Sequence, residues 1–152
     1  MSYLTEEDVL ARLREVASAP DSRERLPLEV VHILKHNYPH YDWVGIYILD
    51  KPDELVLGPF LGKPSPHVRI KTDSGICGAA VLHEETIIVD DVNADPRYLA
   101  CSLETKSEIV VPVFKNGKVV AEIDIDSHTH AAFTDKDRQL LEQVAEILAA
   151  AY

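Results

Sequence analysis

Positive charge is in short supply. Fifteen Lys and Arg stand against 26 Asp and Glu, a formal net charge of −11. Nucleic-acid binding depends on Lys and Arg neutralising phosphates, so this balance argues against it. It argues equally against docking on an anionic membrane surface, and it suits a cationic ligand. Cysteine is nearly absent: Cys77 and Cys101 are the only two. That is too few for a disulfide framework, and in a reducing compartment such a pair is redox-active, metal-binding or simply buried. No apolar run approaches the ~20 residues of a membrane helix. The acidic start, Met1 to Asp8, lacks the basic-then-apolar order of a secretion signal, which points to the cytoplasm.

Signature motifs for cofactors and metals are missing as well. The one glycine cluster, Gly75-Ile76-Cys77-Gly78, fits neither dinucleotide nor P-loop spacing. His32 and His36 lie four apart on a helical pattern, and His128 and His130 two apart, but no third ligand has a recognisable spacing and no HExxH occurs. No metal and no resident cofactor is expected.

What is present is patterning. At 152 residues the chain is the size of one domain and can bury a core without covalent staples. Thr5 followed by Glu6-Glu7-Asp8 predicts a helix start, and Val9, Leu10, Leu13 and Val16 continue it at helical spacing. A second helix begins near Arg23 or Pro27 and ends at Asn37-Tyr38-Pro39. Trp43 to Leu49 and Glu54 to Leu61 read as paired strands around Asp50-Lys51-Pro52-Asp53, and His67 to Ile70 as a short one. Asp73-Ser74-Gly75 would supply the N-cap of a short helix running to about His83, and Thr86 to Val89 forms a further strand. Glu108 to Phe114 and Lys118 to Asp126 flank Asn116-Gly117, the strongest short hairpin signal, since a type I′ turn needs φ > 0 twice. Thr134 then caps a final helix. The expected architecture is α+β: N-terminal helices in 1–38, a mostly antiparallel sheet in 42–127, and a C-terminal helix in 134–151, all within a single domain, 1–152.

Two features carry chemistry. With a period of 2, Glu122, Asp124 and Asp126 share one face of the second hairpin strand, with Ile123 and Ile125 on the other. Three carboxylates in such a row are either the charged guard of an exposed edge strand or the wall of a pocket for a cation such as an ammonium group, which Glu108 could join. In a pocket, their pKa values would be raised when it is empty. Cys77 falls in the first turn of the short helix, where a helix N-terminus lowers a thiol pKa. Cys101 falls in irregular chain before the hairpin. Each thiol could equally be a small buried residue.

The segments Trp43-Val44-Gly45-Ile46-Tyr47, Leu55 to Lys63, Gly75-Ile76-Cys77-Gly78-Ala79-Ala80, Ser107 to Pro112, Asp124-Ile125-Asp126-Ser127 and Phe133-Thr134-Asp135 together resemble the GAF-domain free methionine-(R)-sulfoxide reductases. The resemblance runs from about Asp42 onward. It implies a GAF fold and thiol-dependent reduction of free methionine sulfoxide. Cys101 would be the nucleophile, forming a sulfenic acid as methionine leaves. A second cysteine would close a disulfide that thioredoxin or another external thiol reopens. It further implies that Glu108, Asp124 and Asp126 hold the substrate ammonium and assist protonation of its oxygen, and that Trp43 and Tyr47 shape the methyl-sulfoxide end. A homodimer would fit the family.

The sequence departs from the family at one place. The stretch Gly62 to Ile70, where the family carries its usual resolving cysteine, has none. Cys77 or an external thiol would then have to clear the sulfenic acid. The alternative is a non-catalytic GAF module that binds a small amine-bearing ligand.

Overall fold

The computed structural model describes residues 3–100 and 102–152. In chain order these form α1 (Glu6–Ala17), α2 (Ser22–Asn37), β1 (Trp43–Lys51), β2 (Glu54–Leu61), β3 (Arg69–Lys71), α3 (Gly75–His83), β4 (Ile87–Val89), β5 (Ser107–Lys115), β6 (Lys118–Ser127) and α4 (Asp135–Leu148), with short 3₁₀ turns at Val92–Ala94 and Ala149–Ala151. No helix among the described residues is long and apolar enough to cross a membrane.

Local chemistry explains most of these boundaries. Thr5 and Thr134 each form a capping box, with Asp8 and Asp137 reaching back to the cap N–H. Asn116 (φ 53°) and Gly117 (φ 76°) both occupy the left-handed region that the β5–β6 turn demands. Helix α2 begins at Ser22, earlier than its apolar stripe suggests, and carries Pro27 inside it. Strand β3 sits one to two residues later than its sequence pattern, over Arg69–Lys71.

The six strands form one antiparallel sheet in the order β3-β2-β1-β6-β5-β4. Strand β6 is therefore central, hydrogen-bonded to β1 on one side and β5 on the other. This rules out the exposed-edge reading of its carboxylates. The β1–β6 pairing sets Val44 opposite Ile125 and Ile46 opposite Ile123, while β5 sets Ile109 and Val111 opposite the same two isoleucines. These side chains point to one face and pack with Leu13, Leu26, Leu34, Leu141 and Val144 of the helices in the larger core. The opposite face carries a smaller core of Trp43, Tyr47, Leu55, Ile70, Ile76, Cys77 and Val110, covered by α3. A sheet covered on both sides has no solvent-facing surface at its centre, so the polar residues of β6 are buried with the apolar ones.

Ile123 is fully buried where β1, β5 and the helix layer meet. Ile123→Ala should lower unfolding stability by about 2–5 kcal/mol, through lost transfer energy and the cavity left behind. Urea denaturation should show a lower midpoint with an unchanged slope.

Candidate active site

The candidate site lies on the sheet face beneath α3. Strand period and register bring its residues together. On β1, Trp43, Gly45 and Tyr47 stand opposite Asp126, Asp124 and Glu122 of β6. On β5, Glu108 stands opposite Asp126 and Val110 opposite Asp124. Gly45 leaves a gap between the two aromatics: a Cβ there would come within 2.3 Å of the Trp43 ring, so only glycine lets the indole fold back over the strand.

Each aromatic is fixed at its polar end. The Trp43 Nε1–H donates to the Lys63 carbonyl at 2.9 Å, and its ring stacks on Phe60 at a centroid distance of 5.7 Å. The Tyr47 hydroxyl donates to the His67 carbonyl at 2.7 Å. Both bonds end on the loop after β2, so the site's inner wall holds its outer cover. His67 passes this on, its Nε2 donating to the Ala100 carbonyl at 3.0 Å. On the far side Glu104 is held by Lys63 at 2.5 Å and lies 3.6 Å from His128.

Four carboxyl groups are buried here: Glu108, Glu122, Asp124 and Asp126, none more than 4% exposed. Cys77, on the first turn of α3, donates its S–H to Asp124 Oδ2 at 3.4 Å. The thiol has one proton, and the geometry directs it to Asp124, although Glu122 also lies against the sulfur. Both oxygens of Glu122, Asp124 Oδ1 and Asp126 Oδ1 have no hydrogen-bond partner among the described residues.

The electrostatics follow first from burial. Desolvation pushes the Glu122 carboxyl well above the usual range; the Cys77 thiol against it lowers it in part, and the Asp124 charge adds to the rise. Asp126 is raised well up by desolvation and then by Asp124, while Glu108 offers a hydrogen bond that lowers it in part. Asp124 is raised by desolvation against hydrogen bonds from Glu108 and Cys77. Burial also pushes the Cys77 thiol well up, and Asp124, Glu122 and Glu108 push it further. This corrects the expectation of a lowered Cys77 pKa. The helix N-terminus is there, but burial and three facing carboxyls outweigh its partial charge.

The space between these groups is small. A cavity of ≈ 20 Å³ lies among Tyr47, His67, Cys77, Leu99, Glu108 and Asp124, about the room of one water molecule. A second, of ≈ 50 Å³, touches Trp43, Lys63, Ser102 and Asp126. Larger hollows lie elsewhere, including one of ≈ 650 Å³ beside α1 and α2, but none of its lining residues is a buried charge.

The structure thus gathers Trp43, Tyr47, Cys77, Glu108, Asp124 and Asp126 on one face. Cys101 lies outside the described residues, and so does its separation from Cys77. Alternation in the sequence already set Glu122 beside Asp124 and Asp126 in the candidate carboxylate wall, whereas the family resemblance assigned roles only to Glu108, Asp124 and Asp126. His67 and Leu99 come from irregular chain and carry no periodic signal.

A carboxyl-lined cavity lies between the sheet and the short covering helix α3. The GAF-domain family profile matches residues 26–152. The free methionine-R-sulfoxide reductase of Saccharomyces cerevisiae is 41% identical over 120 residues, covering 77% of this chain and 66% of the relative. Among solved structures, the type II free methionine-R-sulfoxide reductase of Thermoplasma acidophilum superposes with a TM-score of 0.82 at 40% identity, covering 91% of this chain and 94% of that one. The Neisseria meningitidis free methionine-R-sulfoxide reductase, solved in complex with its substrate, gives 0.90 at 32% identity, covering 99% and 96%. The chain belongs to the GAF-domain free methionine-(R)-sulfoxide reductase family.

The buried carboxyls make stability depend on pH in a defined direction. Folding raises the Glu122 pKa, so the native state binds more protons than the unfolded chain once pH passes the ordinary glutamate value of ~4.3. That contribution is intact below this value and is lost as pH climbs toward the raised native pKa. Glu122→Gln should flatten the decline in stability above pH ~4.3. Thermal unfolding at stepped pH checks this, and identical slopes for both proteins would contradict it.

Proposed function

We propose that the protein reduces free L-methionine (R)-S-oxide to methionine, with Cys101 as nucleophile. The single observation that carries the reading is the gathering of four buried carboxyls on one sheet face, in a chain of this family. Such a cluster is costly unless a positive group completes it. A free amino acid brings an ammonium group, whereas a methionine within a peptide offers only an amide nitrogen. Glu108, Asp124 and Asp126 receive the ammonium, and Trp43 and Tyr47 border the thioether end.

The chemistry balances without a metal or resident cofactor. The Cys101 thiolate attacks the sulfoxide sulfur, the S–O bond breaks, and the oxygen passes to the cysteine as a sulfenic acid while methionine leaves. Burial keeps protonated carboxyls in the site, and one of them can hand a proton to the developing oxygen. Leu99 and Ser102, which flank Cys101 in sequence, line the two small cavities on either side of the acidic cluster, which supports a nucleophile at this position.

Recycling falls to Cys77 or to an external thiol. Cys77 condenses with the sulfenic acid, its proton passing by way of Asp124 to the departing hydroxyl, which leaves as water, to give a disulfide that thioredoxin reduces. A buried thiol with a raised pKa attacks slowly while the site is closed. The same observation favours a second reading, a GAF module that binds the amino acid without turnover.

Single-turnover reduction separates the two. Without reductant, the wild-type protein should release about one methionine per chain from the free R-sulfoxide and far less from its N-acetyl derivative. Cys101→Ser should release none. Cys77→Ser should keep the single turnover and lose most of the thioredoxin-linked rate, with dithiothreitol restoring it. Binding of the sulfoxide with no methionine released, even with excess dithiothreitol, would establish the module instead.

A further inference from the structure

The thiol–carboxyl cluster has a second capacity that the reductase reading does not use. Cys77 Sγ, one oxygen of Glu108 and one of Asp124 all lie within 4.8 Å of one another and are buried. We infer that this trio is a binding site for a thiophilic divalent cation, Zn²⁺ above all, which seats in the ammonium position.

The distances suit such an ion. With Zn–S near ~2.3 Å and Zn–O near ~2.0 Å, a tetrahedral S···O edge is about 3.5 Å. Cys77 Sγ and Asp124 Oδ2 already stand 3.4 Å apart. Asp124 Oδ1 and both oxygens of Glu122 are buried, unpartnered among the described residues and available to complete the shell or to orient it. Glu122 lies against the Cys77 sulfur, so its acceptors face the trio. The enclosed cavity of ≈ 20 Å³ has room for one ion or one water. Binding replaces the S–H bond with a metal–sulfur bond and releases the thiol proton to solvent. It also brings positive charge next to the buried oxygens of Glu122 and Asp124 that have no hydrogen-bond partner among the described residues.

Metal and substrate ammonium would then compete for Glu108 and Asp124. That consequence rests on the ammonium reading above, whereas the metal site itself does not. The histidine pair His32 and His36, suggested by helical spacing, is a separate exposed feature of α2.

Cobalt(II) is the probe, because a thiolate ligand gives it a near-ultraviolet charge-transfer band. The Cys101→Ser protein, in which Cys77 is the only cysteine, should take up one Co²⁺ per chain with that band, and excess Zn²⁺ should displace it. Adding Cys77→Ala should remove the band. Asp124→Asn, which preserves side-chain shape, should weaken affinity at least tenfold, while His32→Ala should leave it unchanged. Folding of each variant is checked by circular dichroism. No band in folded Cys101→Ser protein, or undiminished affinity in folded Asp124→Asn, would overturn the metal site. If methionine fails to displace bound Co²⁺, the metal site stands and the ammonium reading fails. If methionine binds and Co²⁺ does not, the reverse holds.

Discussion

The structure turns on one constraint: acidic side chains placed on a strand that has no solvent-exposed face. Strand β6 is central in the sheet, so alternation sends Ile123 and Ile125 into the helix-side core and Glu122, Asp124 and Asp126 into the opposite one. The isoleucines anchor the strand by burying apolar area, and the carboxyls are carried inward with them. A one-residue slip would reverse the two sets, so the register that builds the core also builds the acidic cluster. The site is then an intrinsic feature of the fold, and its cost is offset by the packing behind it.

From that constraint the rest follows in order. Burial favours the protonated form of Glu122 and Asp126, and burial first, with the facing carboxyls second, keeps Cys77 as a thiol. The aromatics beside them, Trp43 and Tyr47, use their polar ends to tie down the loop from Lys63 to His67. His67 in turn holds Ala100, and Glu104 is held by Lys63, so both sides of the segment around Cys101 are tethered to the pocket's cover. The closed state is therefore coupled to the acidic cluster through identifiable hydrogen bonds. A cavity of ≈ 20 Å³ cannot admit an amino acid, so entry requires the cover to shift.

Much of the fold was legible because it rests on local rules. The capping boxes at Thr5 and Thr134, the Asn116-Gly117 turn and the period-2 face of β6 all announce themselves within a few residues. What was not legible depends on distant pairing. Whether β6 is an edge or a centre is decided by its bonds to β1, some 80 residues earlier in the chain. The sequence therefore left an exposed guard and a buried pocket both open. The Cys77 environment failed for the same reason. The helix N-terminus is a local cue and lowers a thiol pKa, but Glu108, Glu122 and Asp124 arrive from two other strands and reverse it. Glu122 was legible from the alternation, which set it in the carboxylate wall, and the family resemblance gave roles only to its neighbours.

The central claim is that the protonated acidic cluster awaits a substrate ammonium. Binding an ammonium should then drive protons out of the site. Titration calorimetry with free methionine, repeated in buffers of different ionisation enthalpy, reads this directly. The account predicts an apparent binding enthalpy that varies linearly with buffer ionisation enthalpy, with a slope signifying net proton release, and a smaller slope in Asp126→Asn. A slope of zero in the wild-type protein, or proton uptake, would contradict it.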